Sequence, residues 1–166
     1  MLHNRVQILQ EMPIFGGTKE STIDFLLKGA MIRNLTRGET VFQEGELDTS
    51  IYVIEQGRVS VYRHWEGDSF KLRELGKGDC FGEMALMDFK PRSATVYADT
   101  DCSLIQISAA QLGQLYSIDP EQYTLIMMNL GREVCRRLKA ADKRLFLNEV
   151  RRATEESTVQ QGLSQM

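Results

Sequence analysis

The chain has 166 residues, 42% hydrophobic and 26% charged, with a net charge of −3 and a pI near 5.5. That balance fits one folded domain plus an appendage and excludes a disordered chain; it also lacks the basic footprint of a nucleic-acid binder. No apolar run nears the ~20 residues of a membrane span, and three scattered cysteines with two histidines suggest neither a disulfide framework nor a metal cluster.

Residues 1–31 read as helical. In STIDFLLKGAMI, Ile23, Phe25, Leu26, Leu27, Ala30 and Met31 make a broad apolar face, with Ser21 or Thr22 as candidate caps. The preceding PIFGGTKES reads as a turn-rich linker. The start of the chain shows no continuous apolar stretch with a small-residue cleavage site, so a cytoplasmic protein is expected.

Residues 32–108 change period. Short runs rich in Val, Ile, Tyr and Phe are separated by glycines at 38, 45, 57, 67, 76, 78 and 82. That spacing predicts a β-sandwich or barrel. In RVSVYRHW, Val59 and Val61 are expected to face one way and Arg58, Ser60 and Tyr62 the other. EQGRVSV and HWEGDSF read as hairpin connections.

Residues 109–152 return to helix. Ser108 caps one helix and Asp119 a second, with Pro120 at its first position. The second helix is expected to run to about Arg152. Its seam of Met127, Leu130, Val134, Leu138, Ala141 and Leu145 predicts a homodimer through this helix. Between 131 and 152 eight Lys/Arg face three Asp/Glu, which reads as a solvated helix face. Residues 153–166 are expected to form a disordered tail.

The most informative stretch is FGEMALMDFKPRSATV, residues 81–96. Gly82 at a strand end, followed by good helix formers, predicts a tight turn into a short helix whose first amides lack internal partners. Ala85 keeps the approach to that backbone open. Pro91 pushes Lys90 toward extended geometry, so the chain re-enters a strand at Arg92. A buried guanidinium there needs an anion and suits phosphate oxygens. A carboxylate, Glu83, beside such a site makes sense if the ligand also offers a hydroxyl, as a ribose does. The plainer alternative is a Glu83–Arg92 ion pair or a solvated surface loop.

FGEMAL followed by PRSATV, with Glu83 and Arg92 nine positions apart, resembles the phosphate-binding cassette (residues 81–95) of cyclic nucleotide-binding domains. These occur in catabolite activators, protein kinase A regulatory subunits and cyclic-nucleotide-gated channels. PIFGG, RGETVFQEGELDTSIYVIEQGRVSVYR, LGKGDCFGE and the DPEQYTLIMMNLGREVCRRLKAADKRL helix extend the resemblance over residues 10–150. It implies an α+β, mainly β fold: an eight-stranded jelly roll, or double-stranded β-helix, flanked by N-terminal helices and a long C-terminal helix. The implied ligand-binding residues are Phe81, Gly82, Glu83, Met84, Ala85, Arg92, Ser93 and Ala94, with Arg137, Ala141 and Asp142 on the long helix. Glu83 would take the ribose 2′-hydroxyl and Arg92 the cyclic phosphate, while Arg137 aligns with an arginine that can pair with Glu83. Ala141 and Asp142 depart from the hydroxyls that activators offer to adenine, which opens the choice between cAMP and cGMP; cAMP is expected.

The activator relatives continue into a helix-turn-helix, for which this chain has no room. The expectation is a stand-alone sensor without enzymatic activity, metal or direct DNA binding, whose long helix relays ligand binding to a protein partner. The alternatives are a ligand-independent module with a vestigial pocket and a transcriptional regulator working with another DNA-binding component.

Overall fold

The computed structural model describes residues 2–163, with side chains over residues 5–155. The chain falls into two units, one through Leu130 and one from Gly131.

The first unit opens with α1 (Leu2–Gln10), a 3₁₀ turn at Pro13–Phe15 and α2 (Glu20–Gly29). Eight strands follow: β1 (Met31–Leu35), β2 (Thr40–Phe42), β3 (Ile51–Gln56), β4 (Arg58–Trp65), β5 (Asp68–Gly76), β6 (Cys80–Phe81), β7 (Thr95–Ala98) and β8 (Cys102–Ile107). A short helix α3 (Glu83–Asp88) interrupts them between β6 and β7. Then come α4 (Ala109–Ile118) and α5 (Pro120–Leu163). The strands form two four-stranded sheets, ordered β1-β8-β3-β6 and β2-β7-β4-β5. This is the eight-stranded jelly roll with flanking helices that the sequence resemblance implied.

The period-2 pattern explains why β3 reads as an unbroken apolar run. Ile51 and Val53 pack with the helices in one core, while Tyr52 and Ile54 turn into a second core with β2, β4 and β7. β8 divides its residues the same way, with Ile105 and Ile107 toward the helices and Cys102 and Leu104 toward the roll. Both faces of these strands are buried, so alternation with polar residues is lost. Val59 and Val61 face the roll as expected; Ser60 is buried on the other side, where its hydroxyl donates to Asp99.

Several local expectations change. α2 is capped at Lys19, not Ser21 or Thr22. Gln122 Oε1 accepts from the amide of the cap residue itself, Lys19 (2.8 Å), and from the Thr22 hydroxyl (3.3 Å), the part that the third helical residue plays in a capping box. PIFGG holds the turns read from the sequence, and its Ile14 and Phe15 are buried. Met31 leaves the helical face and is 63% exposed in β1. Gly57 is not in a hairpin but in the corner where the chain crosses from one sheet to the other. Glu66 and Gly67 do close the β4–β5 hairpin. Ser108 caps α4 through the Gln111 amide (3.2 Å), and Asp119 accepts from the Gln122 amide (3.2 Å) ahead of Pro120.

In α5, Ile126 and Leu130 belong to the first unit's core. The second unit continues this helix to Leu163, past the expected end near Arg152 and through most of the segment expected to be disordered. Residues 164–166 of that segment lie outside the described residues. Leu138, Leu145, Phe146, Leu147 and Val150 are exposed on it.

Candidate functional site

The site begins where β6 ends. Gly82 sits at φ +83°, and a Cβ there would lie 2.7 Å from Arg92 Nη1 and 2.8 Å from the Ser50 carbonyl. The turn therefore requires glycine on both backbone and steric grounds. It delivers Glu83 to the first turn of α3, where Glu83, Ala85 and Leu86 are buried. Phe89 closes α3 in the left-handed region at φ +55°.

The chain returns through Pro91 to Arg92, whose backbone is paired on both sides. Its amide donates to the Glu46 carbonyl (2.9 Å), and its carbonyl accepts from the Gly45 amide (2.8 Å). The guanidinium is 2% exposed. Nη2 donates to Asp48 Oδ2 (2.6 Å) and the Ser50 carbonyl (2.7 Å), and Nη1 donates to the Gly82 carbonyl (2.8 Å). Its plane lies over Phe42 at 4.1 Å and beside Tyr52 at 5.5 Å. Nε is buried and, among the described residues, has no hydrogen-bond acceptor. The anion that buried Arg92 demands is thus Asp48, not Glu83.

Asp48 is shared three ways. Oδ1 accepts from the Ser50 amide (2.9 Å), and Oδ2 accepts from Arg92 and from the Tyr52 hydroxyl (2.9 Å). Burial alone would raise its pKa, but the Ser50 amide and Arg92 outweigh burial and hold it down to about 2. Burial, with the bond to Asp48 behind it, pushes the Tyr52 phenol above its usual range. Arg33 approaches from β1, donating to the Val41 carbonyl (3.0 Å), with Nη1 3.5 Å from the Tyr52 hydroxyl.

Of the residues singled out in the sequence, Phe81, Gly82, Glu83, Met84, Ala85, Arg92, Ser93 and Ala94 lie together in the first unit. Phe81 and Ala94 are buried in the roll, and the exposed Ser93 hydroxyl sits 3.8 Å from Met84 Sδ. Arg137, Ala141 and Asp142 belong to the second unit. There Arg137 Nε donates to Glu133 (2.8 Å), one turn earlier on the helix, and Asp142 is exposed. Sequence reasoning missed Asp48, Ser50, Phe42 and Tyr52. The available signal was the Asp-x-Ser step at 48–50, which forms an Asx turn. Among the described residues, no helix is long and apolar enough to cross a membrane, and no group of three or more His, Cys, Asp or Glu could hold a metal ion.

The first unit is a jelly roll in which a left-handed glycine enters a short helix beside a buried arginine. The sequence profile of the Cyclic nucleotide-binding domain matches residues 32–119, and the chain belongs to that family. It is 32% identical to a cyclic AMP receptor protein of Thermus thermophilus over 136 residues, which are 81% of this chain and 61% of that protein. It is 30% identical over 139 residues to a protein named glutaminase 2 of Bradyrhizobium diazoefficiens, matching 84% of this chain but 22% of that protein. The crystal structure of Thermus thermophilus catabolite activator protein superposes with a TM-score of 0.71 at 32% identity, covering 81% of this chain and 62% of that one. The chain therefore spans about three fifths of the length of the receptor it matches.

Proposed function

We propose that this protein is a cyclic-nucleotide sensor of the cytoplasm, without catalytic activity of its own, that binds cyclic AMP in the roll and acts on a protein partner through α5. The observation that carries the reading is the Arg92 guanidinium: buried, held on two edges by Asp48, Ser50 and Gly82, and keeping its Nε–H idle. Such a donor is costly unless an anion reaches it. The cyclic phosphate is proposed to meet Arg92 and the amides at Gly82, Glu83 and Ala85, with Ser93 beside it and Phe81, Met84 and Ala94 shaping the wall. Glu83 is proposed to accept from the ribose 2′-hydroxyl. The name of the Thermus relative supports cyclic AMP over cyclic GMP.

A second reading has one observation in its favour. Arg92 already possesses an internal counter-ion in Asp48, as a ligand-independent interaction module would require. Calorimetric titration with cyclic AMP and cyclic GMP separates the two. The sensor reading expects saturable binding that is lost in Arg92→Ala, and about 2.7 kcal/mol of added stability at a hundredfold excess over Kd. Absence of binding to either nucleotide would leave the interaction module.

A further inference from the structure

Resting on the cyclic-nucleotide reading, we propose that Tyr52 is a positioning residue for the ligand's phosphate: its hydroxyl fixes the Asp48 carboxylate, which in turn fixes Arg92. Tyr52 is 1% exposed on the roll-facing side of β3. Its hydroxyl and Arg92 Nη2 share one oxygen, Asp48 Oδ2. Its ring stacks on Phe81, the residue before Gly82, at 5.2 Å and 13°. The Arg33 guanidinium lies 5.8 Å from the ring centroid. A Cβ on Gly82 would come within 3.3 Å of the same ring. One side chain thus touches the cassette turn, the guanidinium and its counter-ion.

The ring alone would satisfy the packing, and phenylalanine would supply it. The hydroxyl adds a third anchor to a carboxylate otherwise held by the Ser50 amide and Arg92. The terminal torsion of an aspartate is broad. Without the phenol the carboxylate turns more freely, and the guanidinium that follows it loses a fixed plane. A misaimed Nε–H costs affinity because charge-assisted bonds to phosphate depend on geometry.

The test is Tyr52→Phe, titrated calorimetrically with cyclic AMP beside the wild type, with the ligand-free melting of each recorded. The expected result is binding about 5–10-fold weaker, with no further loss when Tyr52→Phe is added to Asp48→Asn, since the two act in series. Unchanged affinity in Tyr52→Phe while the wild type binds, or a drop in melting alone, overturns the positioning role and leaves the sensor reading standing. Equal losses in both backgrounds overturn it too. A wild type that binds no cyclic AMP removes the sensor reading and this inference together.

Discussion

At the scale of single residues, the Asp48–Arg92 pair sets a guanidinium that is 2% exposed against a carboxylate that is 30% exposed. Removing one member strands a charge in a place built for two. Asp48→Asn, measured by urea unfolding at pH 7, is expected to cost about 3 kcal/mol. The same pair sets a pH window. The Asp48 carboxyl is held at about 2 in the folded chain against an ordinary 3.8. A lowered folded pKa means that the unfolded chain takes up the proton first, so this stabilisation is complete above about pH 4. It fades as pH falls from about 4 to about 2, a loss of about 2 kcal/mol. The gap between wild type and Asp48→Asn should narrow over that interval in acid-induced unfolding. Glu83 and Arg92 could be singled out in the sequence because each stands beside a backbone breaker, Gly82 and Pro91, at either end of a short helical run. For Asp48 the Asp-x-Ser step signals only a local turn; it sits in GELDTS among other acids and hydroxyls, and nothing local says which carboxylate reaches a guanidinium 44 residues away.

At the scale of elements, two non-repetitive positions decide how strands meet. Gly57, at φ +90°, turns the chain from one sheet to the other with Cys102 Sγ only 2.7 Å from where a Cβ would stand. Gly57→Ala is expected to destabilise by at least about 2 kcal/mol, because strain in the left-handed region adds to the clash. Phe89 offers the opposite case: a large side chain, 79% exposed, at φ +55°. Phe89→Gly should stabilise by about 0.5–1 kcal/mol in chemical denaturation, since the relieved backbone strain exceeds the entropy glycine adds to the unfolded chain. The elements themselves were legible from glycine spacing and from the switch between periods 2 and 3.6. Their pairing was not: a glycine between two strand-like runs reads as a hairpin whether the strands share a sheet, as β4 and β5 do, or part company, as β3 and β4 do. The start of α2 was equally hidden, because the side chain that accepts from its cap residue, Lys19, is Gln122, 103 residues away.

At the scale of the whole chain, two hydrophobic cores share β3 and β8 as a common wall, while the second unit shows Leu138, Leu145, Phe146, Leu147 and Val150 to solvent. The seam read from the sequence leads to a proposal of dimerisation along this helix. Sedimentation of the wild type is expected to give a dimer, and Leu138→Glu with Leu145→Glu a monomer with an unchanged first unit. Arg92 also has a reach that its binding role does not exhaust. Through main chain and side chain it is bonded to residues 45, 46, 48, 50 and 82, three stretches that no strand ladder joins at those points. One guanidinium therefore does the work of a rivet. In hydrogen–deuterium exchange the amides around 45–50 and 82–86 should open as a single unit, and tightening the rivet with cyclic AMP should slow all of them by a common factor, whereas Arg92→Ala should let the stretches breathe at rates of their own.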